Sequence, residues 1–242
     1  MIGNFEQNQL WANRLFMSKV TPHLLSHLPG KIHVLEGDTH PLCRLLDITG
    51  GIDYLHESQH GLLRGIASRV QSGSRNWATF TIRKERSSGA RTEYEKRCAA
   101  IAANALYPFF TVQSYFDTQG QLLGYAIVRT DQLFKVIQQG QCSENQCSEN
   151  QCNENQTGDR QIGQATFLYV SWRDLIKGKT PIIMYDRATR LTIIRSKDDV
   201  TEYQDNHTDE ELNAGFNRTI DGEDEEADYD DDDDDFEKGY KQ

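Results

Sequence analysis

The stretch that most limits what this chain can fold into is its acidic end. From Thr201 to Gln242 it carries 18 Asp and Glu against 3 Lys and Arg, and it includes DGEDEEADYDDDDDD. Such a segment has too little apolar surface to offset the chain entropy lost on folding. Residues 201–242 are therefore expected to form a disordered acidic tail. A second stretch, QCSENQCSENQCNEN (Gln141 to Asn155), repeats a five-residue polar unit three times and has no apolar period. It reads as a low-complexity insertion covering 139–163. Any core must come from residues 1–138, with 164–200 as a further β-α-β-β extension of the same core.

The net charge of −11 misdescribes those foldable parts. Met1 to Ile137 holds 15 basic and 11 acidic residues, and Gly163 to Val200 holds 7 and 4. Both are mildly basic, so the binding surface is expected to favour anions while the tail repels them. No apolar run approaches the roughly 18 residues of a membrane span, and MIGNFEQNQLWANRLF lacks the basic-then-apolar layout of a secretory leader. Of the five cysteines, three sit in the repeat, so no disulfide framework is implied. A cytoplasmic, reducing setting is expected.

Local patterns give the order of elements. Residues 8–28 carry an apolar helical stripe (Leu10, Phe16, Met17, Val20, Leu24, Leu25, Leu28), divided or kinked near Pro22. KIHVLE reads as a short strand or extended connection. GIDYL and LLRGIASRVQ, joined by HESQHG, read as a hairpin, and ATFTIR as a third strand. TEYEKRCAAIAANAL is the clearest helix. Thr92 and Glu95 have capping-box spacing, and Glu93 and Arg97 are i,i+4 partners. FFTVQSYF and LLGYAIVR flank DTQG as a second hairpin, followed by the short helix TDQLFKVIQQ. Strands bracketed by helices predict an α/β fold, with a mixed central sheet flanked by helices.

Two charged residues stand out in this pattern. Asp53 opens one strand of the first hairpin, and Arg69 lies in the other, within IASRVQ. An Asp at the start of one strand lies near the end of its antiparallel neighbour, so both side chains can face one cleft. Phosphodiester hydrolysis with a divalent metal needs carboxylates for the ion and a cation at the phosphate. Asp53 also follows Gly50-Gly51, a turn signal, and Arg69 equally suits a plain ion pair.

The αβββαβ order, with G-I-D opening one strand and I-x-x-[KR]-x-Q in the next, resembles the PD-(D/E)XK nuclease superfamily, in its resolvase-like and Mrr-like branch. The resemblance covers about residues 10–135 and implies a restriction-endonuclease-like core. It implies a DNA endonuclease using Mg²⁺ or Mn²⁺, with Asp53, Arg69 and Gln71 catalytic and Asp53 holding the metal. Ala67 falls where the family has Glu or Gln, and Arg69 where it has the catalytic Lys. An arginine keeps its proton, so Arg69 is expected to stabilise phosphate charge rather than transfer a proton. The missing second carboxylate must come from Asp47, Glu57, Glu36 or Glu6, and Asp47 is favoured because LDITGGID would hold it near the same sheet edge. The competing expectation is a catalytically inactive relative that binds nucleic acid or a protein partner.

The basic run from Arg64 to Arg97 supplies the expected DNA contacts, chiefly Arg64, Arg75, Arg83, Lys84, Arg86 and Arg91. Trp77 suits either base stacking or the core. Cys142, Cys147 and Cys152 have zinc-like spacing but read better as copies of an expanded unit. The acidic tail is expected to solvate the chain, to take a protein partner, or to mimic nucleic acid at the basic face. A homodimer is compatible with this reading.

Overall fold

The computed structural model describes residues 3–35, 40–86, 89–148, 164–195 and 200–204. Pro22 does divide the first helical stretch. Helix α1 (Gly3–Leu15) passes through a π turn (Phe16–Val20), whose last bond runs from Thr21 N–H to the Phe16 carbonyl, into α2 (Thr21–His27). Pro22 sits in the first turn of α2, directly after the π turn, and has no N–H to continue that turn's bonding. Phe16, Val20 and Leu24 are buried, whereas Leu10 of the expected stripe is 69% exposed.

After β1 (Gly30–Val34) comes α3 (Pro41–Gly50), then the hairpin of β2 (Tyr54–Ser58) and β3 (Leu63–Ser72). Strand β4 (Thr79–Arg86) leads to α4 (Glu93–Ala102), whose capping box forms as its spacing predicts. The second hairpin is β5 (Phe110–Phe116) and β6 (Leu122–Arg129), followed by α5 (Thr130–Gln138). The chain continues through β7 (Ser143–Ser148), β8 (Gln164–Ser171), α6 (Trp172–Lys177), β9 (Ile182–Asp186), β10 (Leu191–Arg195) and β11 (Val200–Gln204).

The architecture is α/β with a mixed sheet. Seven strands run in the order β1-β2-β3-β5-β6-β9-β10, and β11 adds an eighth at the edge. Every pairing is antiparallel except β3 with β5, which are parallel and joined by a crossover containing α4. A second small sheet pairs β4 with β8, and β7 lies on the other side of β8.

Strand alternation sends side chains to two cores. On one face Ile66, Val112 and Phe116 pack with Phe16, Val20 and Leu24. On the other, Tyr115, Ala126 and Val128 pack with Phe80, Leu133, Phe134 and Trp172. The sheet is thus covered on both faces, as a parallel crossover requires. Among the described residues no helix is long and apolar enough to cross a membrane.

Four sequence expectations need correction. ATFTIR is a strand but leaves the main sheet, because its partner β8 arrives about eighty residues later, at registers such as Ile82 with Leu168. Asp47 lies on helix α3 rather than at a sheet edge. The polar repeat is not wholly outside the fold. Its residues Ser143–Ser148 form β7, because an edge strand needs only backbone partners, and β8 supplies them. The tail boundary moves too: residues 200–204 pair with β10, and 205–242 lie outside the described residues.

Candidate functional site

Helix α3 delivers the chain to Asp53. It ends where Gly51 adopts the left-handed conformation (φ 59°, ψ 41°), and the Gly51 N–H returns to the Asp47 carbonyl. Glycine meets that conformation without a Cβ clash. The Gly-Gly pair therefore ends a helix, and Asp53, two residues on, is not itself a turn residue. The Asp53 N–H donates to the Ile66 carbonyl (2.9 Å), and its own carbonyl accepts from Leu35 N–H (2.9 Å). Backbone bonds on both sides hold the carboxylate over β3, where Oδ2 accepts from the Ser68 N–H at 2.6 Å.

Arg69 shares a face of β3 with Ala67 and Gln71, opposite Gln113 of β5. Its guanidinium crosses to the small sheet, donating to the Thr81 carbonyl at 2.6 Å and lying over the Phe167 ring. Gln113, 1% exposed, ties the same three strands together. Its amide oxygen accepts from Thr81 N–H and its amide nitrogen donates to the Gln71 side chain at 2.9 Å.

These elements enclose a cavity of about 300 Å³, lined by Asp47, Asp53, Ala67 and Arg69 together with residues of α4 and the connection before it. Helix α4 presents Glu93, Lys96 and Arg97 to it, and i, i+3 and i+4 share one helix face. Arg97 is 7% exposed. It reaches Glu93 (3.2 Å), Thr111 Oγ1 (3.3 Å) and the Gly51 carbonyl (3.5 Å), so it links α4, β5 and the end of α3. Arg86 and Arg91 complete a lining with five cations and three carboxylates. Burial pushes the Asp47 carboxyl above its ordinary range, and the Lys96 charge partly draws it back.

Asp47, Asp53, Arg69, Arg86 and Arg91 are thus brought together, and the other predicted site residues are not. Gln71 supports Gln113 from outside the lining. Arg64 lies over the Phe109 ring, Arg83 over Phe167, and Arg75 over Trp77 at 3.5 Å. Trp77 is 51% exposed, which removes the core reading for it. Lys84 pairs with Glu144 of the repeat at 2.6 Å, a hydrogen bond that raises its pKa. Glu57 pairs with His33 at 2.8 Å, Glu36 lies outside the described residues, and so does the side chain of Glu6. Cys147 falls on β7, and Cys152 lies outside the described residues. Sequence reasoning missed Glu93, Lys96 and Arg97 as one cavity-facing group. The capping box shows in the sequence that the three share a helix face, but not that this face turns toward the cavity.

Three carboxylates, Asp47, Asp53 and Glu93, line the cavity, and two of them already have partners. One Asp53 oxygen accepts from Ser68 N–H, and Glu93 pairs with Arg97. Ala67 brings no ligand, and among the described residues no group of three His, Cys, Asp or Glu is gathered to hold a metal ion. The surplus of cations suits an anion better. No family model matches this chain, and neither curated proteins nor solved structures provide a match.

Proposed function

We propose that this chain is a nucleic-acid-binding protein on a PD-(D/E)XK-like, restriction-endonuclease-like core, and that its cavity takes the phosphate backbone of DNA. The observation that carries the reading is the convergence of Arg69, Arg86, Arg91, Lys96 and Arg97 on one cavity beside Asp53. Support for the core comes from the order α2, β1-β2-β3, α4, β5, with β5 parallel to β3, α3 inserted between β1 and β2, and β4 as an excursion before α4. Asp53 precedes the middle strand of that meander and Arg69 lies in its third. In this order β1 takes the place that ATFTIR holds in the sequence reading. Arg97, held by Glu93 and Thr111, is a preorganised donor for a phosphate oxygen, and Lys96 adds an exposed charge at the rim.

The competing reading is the metal-dependent DNA endonuclease. It is favoured by Asp47, Asp53 and Glu93 all lining the cavity. One experiment separates the two. The protein is incubated with plasmid and single-stranded DNA in Mg²⁺, in Mn²⁺ and in EDTA, beside Asp53→Ala. Binding that survives EDTA without cleavage is the expected result. Cleavage lost in Asp53→Ala would favour the endonuclease, and failure to bind or cleave either DNA would end both. Lys96→Gln should leave stability unchanged and reduce the salt slope of binding by about one. An unchanged slope would remove Lys96 from the interface.

A further inference from the structure

The row of paired residues that ends the described chain points back to the cavity. Gln204 pairs with Leu191, Leu191 with Asp186, Asp186 with Gly124, Gly124 with Tyr115, and Tyr115 with Gln71. Gln71 lies two residues from Arg69 on β3. The chain therefore leaves the sheet level with the cavity's strands, five strand spacings away. At about 4.8 Å per spacing this is about 24 Å, with about 7 Å more along the strand.

The sequence beyond Gln204 is the most acidic in the protein. Between 221 and 237, 13 of 17 residues are Asp or Glu. The 16 intervening residues, 205–220, reach at most about 55 Å when fully extended. Their extended span is about twice this straight-line separation, which leaves length for a path around the sheet. The cavity is complementary in charge, its lining carrying five cations against three carboxylates, with the buried Arg97 among the cations.

We infer that the acidic segment 221–237 occupies the cationic cavity of its own chain and competes there with nucleic-acid phosphate. Carboxylates spaced along a chain offer Arg and Lys the same charge-assisted hydrogen bonds as a phosphate backbone. Tethering supplies them at an effective concentration on the order of 1 mM. If the free segment bound with a dissociation constant of about 10⁻⁴ M, the weak end of non-specific nucleic-acid binding, DNA affinity would fall about tenfold. Screening removes the effect at high salt, where the Debye length shrinks to about 3 Å near 1 M.

This inference rests on the phosphate-binding reading, and the experiment separates their failures. The full chain is compared with a full-length variant carrying Asp→Asn and Glu→Gln at all 13 acidic positions from 221 to 237. DNA binding is measured from about 50 mM to about 1 M salt. About tenfold tighter binding by the variant, confined to low salt, is expected. Equal binding by both overturns the inference and leaves the phosphate site intact, whereas no binding by either overturns the site reading. A general charge effect is distinguished by carbodiimide coupling in the native chain. Coupling of Lys96 to residues 221–237, suppressed by added DNA, is expected, and its absence or insensitivity to DNA would overturn the inference.

Discussion

Thr92 joins the start of α4 to a flaw in β4, and its removal has a calculable cost. The β4–β8 register skips Lys84, which is bulged between Arg83 and Glu85. The Lys84 carbonyl instead accepts from the Thr92 hydroxyl at 2.9 Å. Thr92 also accepts from the Glu95 N–H, and the Glu95 carboxylate accepts from the Thr92 N–H at 2.8 Å. Thr92 is 2% exposed. Thr92→Ala removes a cap worth about 1 kcal/mol, a hydrogen bond worth about 1 kcal/mol and a buried methyl worth about 0.8 kcal/mol. The expected loss is about 3 kcal/mol, or about 6–12 °C in Tm for a domain of this size. Thr92→Ser keeps both hydroxyl bonds and should cost only about 0.8 kcal/mol. Urea melts of the three proteins measure the differences. Because α4 carries Lys96 and Arg97 into the cavity, Thr92→Ala should also weaken DNA binding without changing any charge. Serine as damaging as alanine, or a loss below about 0.5 kcal/mol for alanine, would refute the assignment of the hydroxyl to the cap and the bulge.

Two further substitutions test the frame of the site. Asp47→Asn should stabilise the fold at neutral pH. The native carboxyl holds its proton more tightly than the unfolded one, so ionisation costs stability as pH rises from the ordinary aspartate range through the raised native value. The gain should vanish in melts below that range, and a gain constant with pH would contradict it. Gly30→Ala should destabilise the β1–β2 edge. Gly30 has φ 153°, and an added Cβ would lie 2.0 Å from the Glu57 carbonyl oxygen. Hydrogen exchange should accelerate in β1 and β2 first, and unchanged protection there would show that the backbone relaxes freely.

Much of this architecture was legible locally. The hairpin carrying Asp53 and Arg69, the capped helix after KERSSGAR and the turn at DTQG each announce themselves within a dozen residues. Helix α3 did not. Its Leu42, Leu45 and Ile48 follow helical spacing, yet they remain 56%, 53% and 61% exposed in the fold. The departure of β4 was also hidden, because strand partners distant in sequence leave no periodic trace. At the site, Asp53 and Arg69 could be placed from the hairpin alone. Glu93, Lys96 and Arg97 enter through a parallel crossover, and only the tertiary fold turns that helix face inward.

The edge strand β7 gives the five-residue repeat a consequence for heredity rather than for chemistry. Ser-Glu-Asn-Gln-Cys at 143–147 is followed by the same five residues at 148–152. Loss of one unit would therefore return the same first five residues to the β8 edge, including a glutamate for Lys84, with an asparagine in place of Ser148 at the sixth. Only the connection from 149 to 163 would shorten, changing its closure entropy by about 0.4 kcal/mol. Slippage during copying, to which short coding repeats are prone, would thus pass almost unnoticed by the fold. The β8 edge turns variation in repeat number into a near-neutral change, and variants of different length can accumulate without selection on stability.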